Sequence, residues 1–302
     1  MKNSILLILL CITFFSCIPS QPKNNYIIDI ELIPSLNEQK ISIDNKEAIK
    51  ERLLKSAVDV KVEILSSTTA RIELATNSTQ NHITSLLTQG GDLEFYEVMP
   101  LNTISPAITY LYESKLEKDT ILLKEITEKF MVANPNSGSI GSSRIQDTAT
   151  INRIFKNPLQ ENIPNTIFKW ELPIPNSDRL NLYALKIDKD GNPAMRGNFI
   201  KDAKQQFSHF GDPSVGIEMN DLGARLWERL TERAAQDNFP IAIVVDGQVF
   251  SAPFARQAIK GGSTEISGYF TVESARVLAQ VLSSSTIPKF KVQNISLKSI
   301  KE

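Results

Sequence analysis

Residues 240–288 read PIAIVVDGQVFSAPFARQAIKGGSTEISGYFTVESARVLAQVLSSSTIP. An apolar run, Ile241–Val245, meets Asp246-Gly247 and then a second short run, Gln248–Ser251. An Asp-Gly pair between two β-rich runs predicts a two-residue hairpin, because both central residues tolerate positive φ. A Gly261-Gly262 loop follows, then Ile266-Ser267-Gly268-Tyr269-Phe270-Thr271 and a helix beginning near Val272.

This order of pieces resembles the head of the first large periplasmic domain of SecD, the accessory subunit of the Sec export channel. The family pattern runs LDG-x-V-x-SAP, I-x-GG, then ISG-x-FT-x-EEA and a helix. It falls here on Asp246, Gly247, Val249, Ser251, Ala252, Pro253, Ile259, Gly261, Gly262, Ile266, Ser267, Gly268, Phe270, Thr271, Glu273 and Ala275. Most of these are turn formers and core residues, so the resemblance speaks to fold more than to chemistry. Upstream, Arg196 to Ala203 is similar to the family's entry into the head, and Asn220, Gly223 and Ala224 to its next helix start.

The N-terminus reads as a targeting segment. Lys2 is its only charge and residues 4–15 are a nearly continuous apolar run, too short to cross a bilayer. Phe14-Phe15-Ser16-Cys17 follows, a small residue before a Cys, as at a bacterial lipoprotein cleavage site. The expectation is a signal peptide over 1–16 and a lipidated Cys17 of the palmitate-carrying kind; an ordinary secretory signal is the alternative. Cys11 lies in the apolar run, so Cys17 would be the only mature thiol, and acylation explains a leftover Cys. SecD continues from this domain into membrane helices, whereas this sequence runs to Lys301-Glu302. The expectation is therefore a stand-alone lipoprotein that does not couple to a proton gradient through helices of its own. Removing residues 1–16 takes away Lys2 and no acid, moving the net charge from −1 to −2. That balance argues against nucleic acid as a partner.

Along the mature chain, 17–25 is a polar tether. Residues 26–32, 58–65, 70–74 and 92–98 alternate as strands, with helices predicted from Asp44 to about Lys55 and from Ser78 to about Leu87, the second ended by Gly90-Gly91. The order β-α-β-β-α-β predicts a ferredoxin-like base. Gly91, Leu93, Glu94, Phe95 and Val98 match the SecD base strand G-x-LEF-x-V, but the family's DLRGG segment is missing after Asp29. Residues 100–192 read as a linking insertion with a charged helix near 116–130, a capped helix from Asp147 through Phe155, and strands near 167–172 and 180–188. The head spans 193–288, and 289–297 returns to the base as an edge strand beside 26–99. The fold class is α+β: a ferredoxin-like base with an inserted arm and an α+β head.

Enzyme and metal motifs are absent from the sequence: no His-Glu-x-x-His, Cys-x-x-Cys, phosphate loop or Gly-x-Ser-x-Gly elbow. The two histidines, His82 on a predicted helix and His209 in a polar turn, read as lone surface residues. Asp188-Lys189-Asp190-Gly191-Asn192 starts like a calcium loop but lacks its closing Glu, and reads as a turn. Asp246, Gly247, Gly261, Gly262 and Gly268 read as structural turn residues. Phe250, Pro253 and Phe254 follow the hairpin, where the resemblance implies a surface able to meet unfolded chain by strand addition and apolar pockets. The competing reading has both Phe side chains filling the head core, the usual fate of apolar residues.

No catalytic residue, metal or cofactor is expected, and the protein reads as a non-enzyme. It is expected in the bacterial cell envelope, lipid-anchored and facing the periplasm. The partner implied by the resemblance is exported or unfolded polypeptide. The alternative is an envelope interaction or structural lipoprotein with one dedicated envelope or Sec-associated partner. Residues 282–288 favour the alternative: SecD's LRAGALP is replaced by LSSSTIP, which removes the Arg and Gly of a place where hinge motion is expected.

Overall fold

A computed structural model describes residues 22, 24–35, 39–116, 126–134, 137–156 and 163–298. In chain order the elements are β1 Asn24–Leu32, α1 Ile43–Leu54, β2 Ala57–Ile64, β3 Thr69–Thr76, α2 Gln80–Thr88, β4 Leu93–Glu97 and α3 Leu101–Leu116. Then come β5 Phe130–Val132, β6 Gly141–Arg144, α4 Thr148–Lys156, β7 Thr166–Trp170, β8 Arg179–Lys186, β9 Met195–Arg196, β10 Ile200–Phe207 and β11 Pro213–Met219. The chain closes with α5 Asp221–Asp237, β12 Ile241–Val245, β13 Gln248–Ser251, β14 Ser263–Ile266, α6 Val272–Leu282 and β15 Phe290–Leu297.

The first sheet has the order β15-β1-β3-β2, all antiparallel, the strand order of a ferredoxin-like unit. Its buried face carries Ile28, Ile30, Ile72, Leu74, Val60 and Val62, which alternate with charged residues as the period of two requires. Ile49 and Leu53 of α1 and Ile83, Leu86 and Leu87 of α2 cover that face. Ser42 caps α1 through a reciprocal pair with Asn45, and Thr79 caps α2; Asp44 and Ser78, the sequence candidates, flank these caps.

The α+β class stands, but the fourth strand of the ferredoxin-like unit is not the one the local order suggested. β4 leaves the base at Gly90-Gly91 and pairs with β12 in a second sheet, β13-β12-β4-β9. β15, nearly 200 positions on, fills the vacant edge beside β1. The reason is burial. β4 is apolar on both sides, with Leu93 and Phe95 in one core and Tyr96 and Val98 in another, so it needs cover on both faces. β15 buries Phe290 and exposes most of its remaining residues, which suits an edge.

β12 is likewise buried at all five positions: Ile241, Ile243 and Val245 face the head core, Ala242 and Val244 the arm. A third sheet, β10-β11-β14, closes the head under α5 and α6. The arm is a fourth sheet, β5-β6-β8-β7, packed on α3 and α4 around Ile104, Phe130, Ile151, Phe155 and Leu182. Most of the charged helix expected near 116–130 falls on residues 117–125, outside the described residues; 126–129 are helical and Phe130 begins a strand. Asp147 closes a short 3₁₀ turn that leads into α4.

α6 is the wall between base and head. Val277 and Val281 sit in the base core, while Ala275, Leu278, Ala279 and Leu282 sit in the head core. A helix apolar on opposite faces must be covered on both. Thr271 and Ser274 form its capping box.

Candidate functional site

The hairpin comes first because it positions everything near it. Asp246 and Gly247 have φ of 51° and 85°, with Val245 opposite Gln248, so the turn is the two-residue type that needs two left-handed residues. Asp246 does more than turn the chain. Its carboxylate accepts from the backbone N–H groups of Gly90 and Gly91 at 2.9 Å and of Asp92 at 3.0 Å. These amides are where β4 departs from the base. From the other side, the fully buried Arg52 of α1 donates to the carbonyls of Leu86, Gln89, Gly90 (2.7 Å) and Ser285 (2.8 Å), and to Ser284 Oγ at 3.1 Å. Burial pulls the Arg52 guanidinium down to about 10, against the opposing charges of Asp246 and Glu51. Gly91 has φ +90°, and a Cβ there would sit 2.8 Å from Val281 Cγ1, so only glycine fits.

Phe250 is half-buried and stacks on Phe270 with ring centroids 6.0 Å apart. It lines a cavity of about 310 Å³ whose apolar walls are Leu172, Ile174, Phe250, Tyr269, Phe270 and Leu278. Gly268 lies in the same wall, at a bend closed by Phe270 N–H on its carbonyl. Pro253 and Phe254 do not line the cavity. Both are exposed, Phe254 at 46%, and Phe254 makes an isolated bridge to Pro240. Thus of the two sequence readings for these residues, Phe250 packs partly against the core and Phe254 faces solvent. Gly261 and Gly262 have φ of 80° and 71° in the turn before β14. Cys17 lies outside the described residues.

Sequence reasoning missed Tyr269, 77% exposed, and the whole contribution of residues 171–174. Tyr269 stood in the open position of ISG-x-FT; nothing in the sequence near residue 171 pointed to it.

His82 is not the surface residue the sequence suggested. It is 3% exposed, with Nδ1 at 2.6 Å from Glu273 Oε1 and Nε2 at 3.1 Å from Ser56 Oγ. Serine, histidine and carboxylate in that order resemble a nucleophile triad. The hydrogen bonds run the other way, however. Gln280 Nε2 donates to the Arg52 carbonyl at 2.9 Å, which turns Oε1 toward Ser56, and the Ser56 hydroxyl donates to it at 2.6 Å. A serine whose proton points away from the imidazole is not activated. Among the described residues no cluster of His, Cys, Asp and Glu could hold a metal ion. Asp188 closes its own turn, accepting from the N–H groups of Asp190 and Asn192.

Residues 178–289 match the family described as SecDF, P1 head subdomain. The SecDF translocase subunit of Thermus thermophilus is 36% identical over 118 residues, covering 39% of this chain and 16% of that protein. The SecD translocase subunit of Rhodothermus marinus is 34% identical over 147 residues, covering 47% of this chain and 23% of that protein. The chain thus spans less than a quarter of the length of either relative. Among solved structures, SecDF in its super-membrane-facing form superposes with a TM-score of 0.53 at 22% identity, over 92% of this chain and 32% of that one, a likeness of fold. Among the described residues no helix is long and apolar enough to cross a membrane. Residues 178–289 are thus similar in sequence to the P1 head subdomain of SecDF, and the described chain is similar to SecDF in fold.

Proposed function

We propose that this protein serves protein export from the periplasmic side of a bacterial membrane, held there by a lipid on Cys17, and that it binds exported polypeptide in unfolded form without catalysing a reaction. The observation that carries the reading is the 310 Å³ apolar cavity at the edge of the hairpin sheet, with Tyr269 exposed in its wall. An extended chain suits such a place: backbone groups meet a strand edge while alternate apolar side chains enter a pocket. Relatives named as translocase subunits supply the export context.

The test is photocrosslinking in living cells. A photoreactive residue replaces Tyr269 or Phe254, with Lys61 on the outer face of the base sheet as control. The reading expects adducts with many exported proteins at the first two positions and none at the control. Equal labelling at all three sites would sink it. Labelling by palmitate, lost in Cys17→Ala, tests the anchor.

A second reading, a lipoprotein with one dedicated envelope partner, has its own support. Residues 283–285 are tied to α1: Ser284 and Ser285 to Arg52, Ser285 Oγ to Glu51 at 2.7 Å, and Ser283 to Lys55. A joint held this firmly suits a static docking surface. One discrete crosslinked band would favour it.

A further inference from the structure

β13 is the edge of its sheet, and an edge strand offers unpaired N–H and C=O groups. Here the edge is already taken. The chain leaves β7 at Trp170 and runs alongside β13: Glu171 bridges Val249 in parallel, and Leu172 N–H donates to Val249 C=O at 2.8 Å. Among the described residues no further backbone hydrogen bond joins 173–175 to β13. Leu172, Pro173 and Ile174 lie across the cavity as one of its walls. Backbone pairing at an edge with side chains over an adjoining pocket is the way an added peptide strand binds.

We propose that residues 171–175 are a built-in strap that occupies the client site as a client would, and that an extended polypeptide segment carrying an apolar side chain binds by displacing it. This rests on the peptide-binding reading above and adds its direction and its gate. The client runs parallel to β13, as the strap does, and its apolar side chain takes the space walled by Leu172 and Ile174. Displacement is feasible for three reasons. One interstrand hydrogen bond joins strap to β13 among the described pairings. Pro173 and Pro175 stand at the alternate positions that follow Glu171, whose N–H bonds the Asn181 carbonyl of β8, so the pairing with β8 cannot continue past Glu171. The strap also ends in the turn around Asn176, where Ser177 N–H bonds the Ile174 carbonyl, so residues 172–175 are a short loop that can move while Glu171 N–H stays on the Asn181 carbonyl of β8 at 2.8 Å.

The probe is a synthetic peptide with the sequence of residues 169–176, Lys-Trp-Glu-Leu-Pro-Ile-Pro-Asn, titrated into the full chain. Wild type is compared with Leu172→Pro, which deletes the N–H that meets Val249. A site closed part of the time binds more weakly by that fraction. Loss of one hydrogen bond is therefore expected to tighten peptide binding roughly three- to tenfold. Hydrogen exchange read by NMR on the wild type gives an answer independent of the variant's folding. Saturating peptide should strip protection from the Leu172 amide while the β12 amides keep theirs. Binding that leaves Leu172 protected, or that is equal in both proteins, overturns the strap and leaves the binding reading intact. Failure of both this peptide and an unfolded secretory protein to bind either form overturns the binding reading and the strap with it.

Discussion

Arg52 shows what a single side chain can hold. Its guanidinium, wholly buried, satisfies carbonyls at the C-terminal end of α2 and on the segment that returns from head to base. Truncation leaves those carbonyls unpaired, and a broken buried ionic site costs about 3–5 kcal/mol. Arg52→Ala is expected to lose that much in urea denaturation; a loss below about 1 kcal/mol would mean that water replaces the guanidinium without penalty. Glu171 makes a different prediction. Burial raises its carboxyl above the ordinary value, while hydrogen bonds from Asn181 partly oppose the shift. A raised acid favours the folded, protonated form. Its contribution is present below the unfolded value and is lost as pH rises through the raised folded value. The strap should therefore open more readily as pH climbs above about 4.5, the ordinary range of a glutamate. Protection of the Leu172 amide, exchange corrected for its intrinsic pH dependence, should fall over that window in wild type and stay constant in Glu171→Gln.

Among the elements, α6 has the strongest bearing on stability because two cores share it. Leu278→Ala and Val281→Ala each delete a fully buried side chain, the first from the head and the second from the base. Losses of about 2–4 kcal/mol for the leucine and somewhat less for the valine are expected. Amide exchange should separate them: faster in β10 and β11 for the first, in β1 and β3 for the second. The same spread in both variants would show that α6 is not a divider. The segment that crosses from α2 to β4 is as constrained. Gly91→Ala would place a Cβ against Val281 at a backbone angle that side chains rarely adopt, at a cost of about 1–3 kcal/mol. Elements like these were partly legible beforehand. Asp246-Gly247 announced its turn because the φ preference is local. The run Ile241–Val245 was visible as apolar, yet whether it was covered on one face or two was not, since the cover comes from the arm.

At the scale of the molecule, base and head are joined through Arg52, Asp246, α6 and the His82–Ser56–Gln280 network. A single unfolding transition by circular dichroism and by Trp227 fluorescence, read in a Trp170→Phe background, is the expected behaviour. In Arg52→Ala the two signals should part, because Trp227 lies in the head core while base strands report separately. Two separate transitions in wild type would mean that the joint carries little energy.

The sequence by itself determined the α+β class, the hairpin, the helix starts after Asn220 and near Val272, and the likeness to the SecD head. Each rests on residues a few positions apart, where backbone preference and hydrophobic period act. Only the tertiary structure decided that β4 leaves the base sheet for the head, that His82 and Arg52 are buried, that Asp246 grips Gly90 and Gly91, and that β13 is covered by the chain's own strap. The partners in those contacts stand 156 residues apart for Gly90 and Asp246, 191 for His82 and Glu273, and 232 for Arg52 and Ser284. At such separations no local propensity selects the partner. What selects it is the need of a buried charge, amide or strand edge to be satisfied once the cores have closed around it.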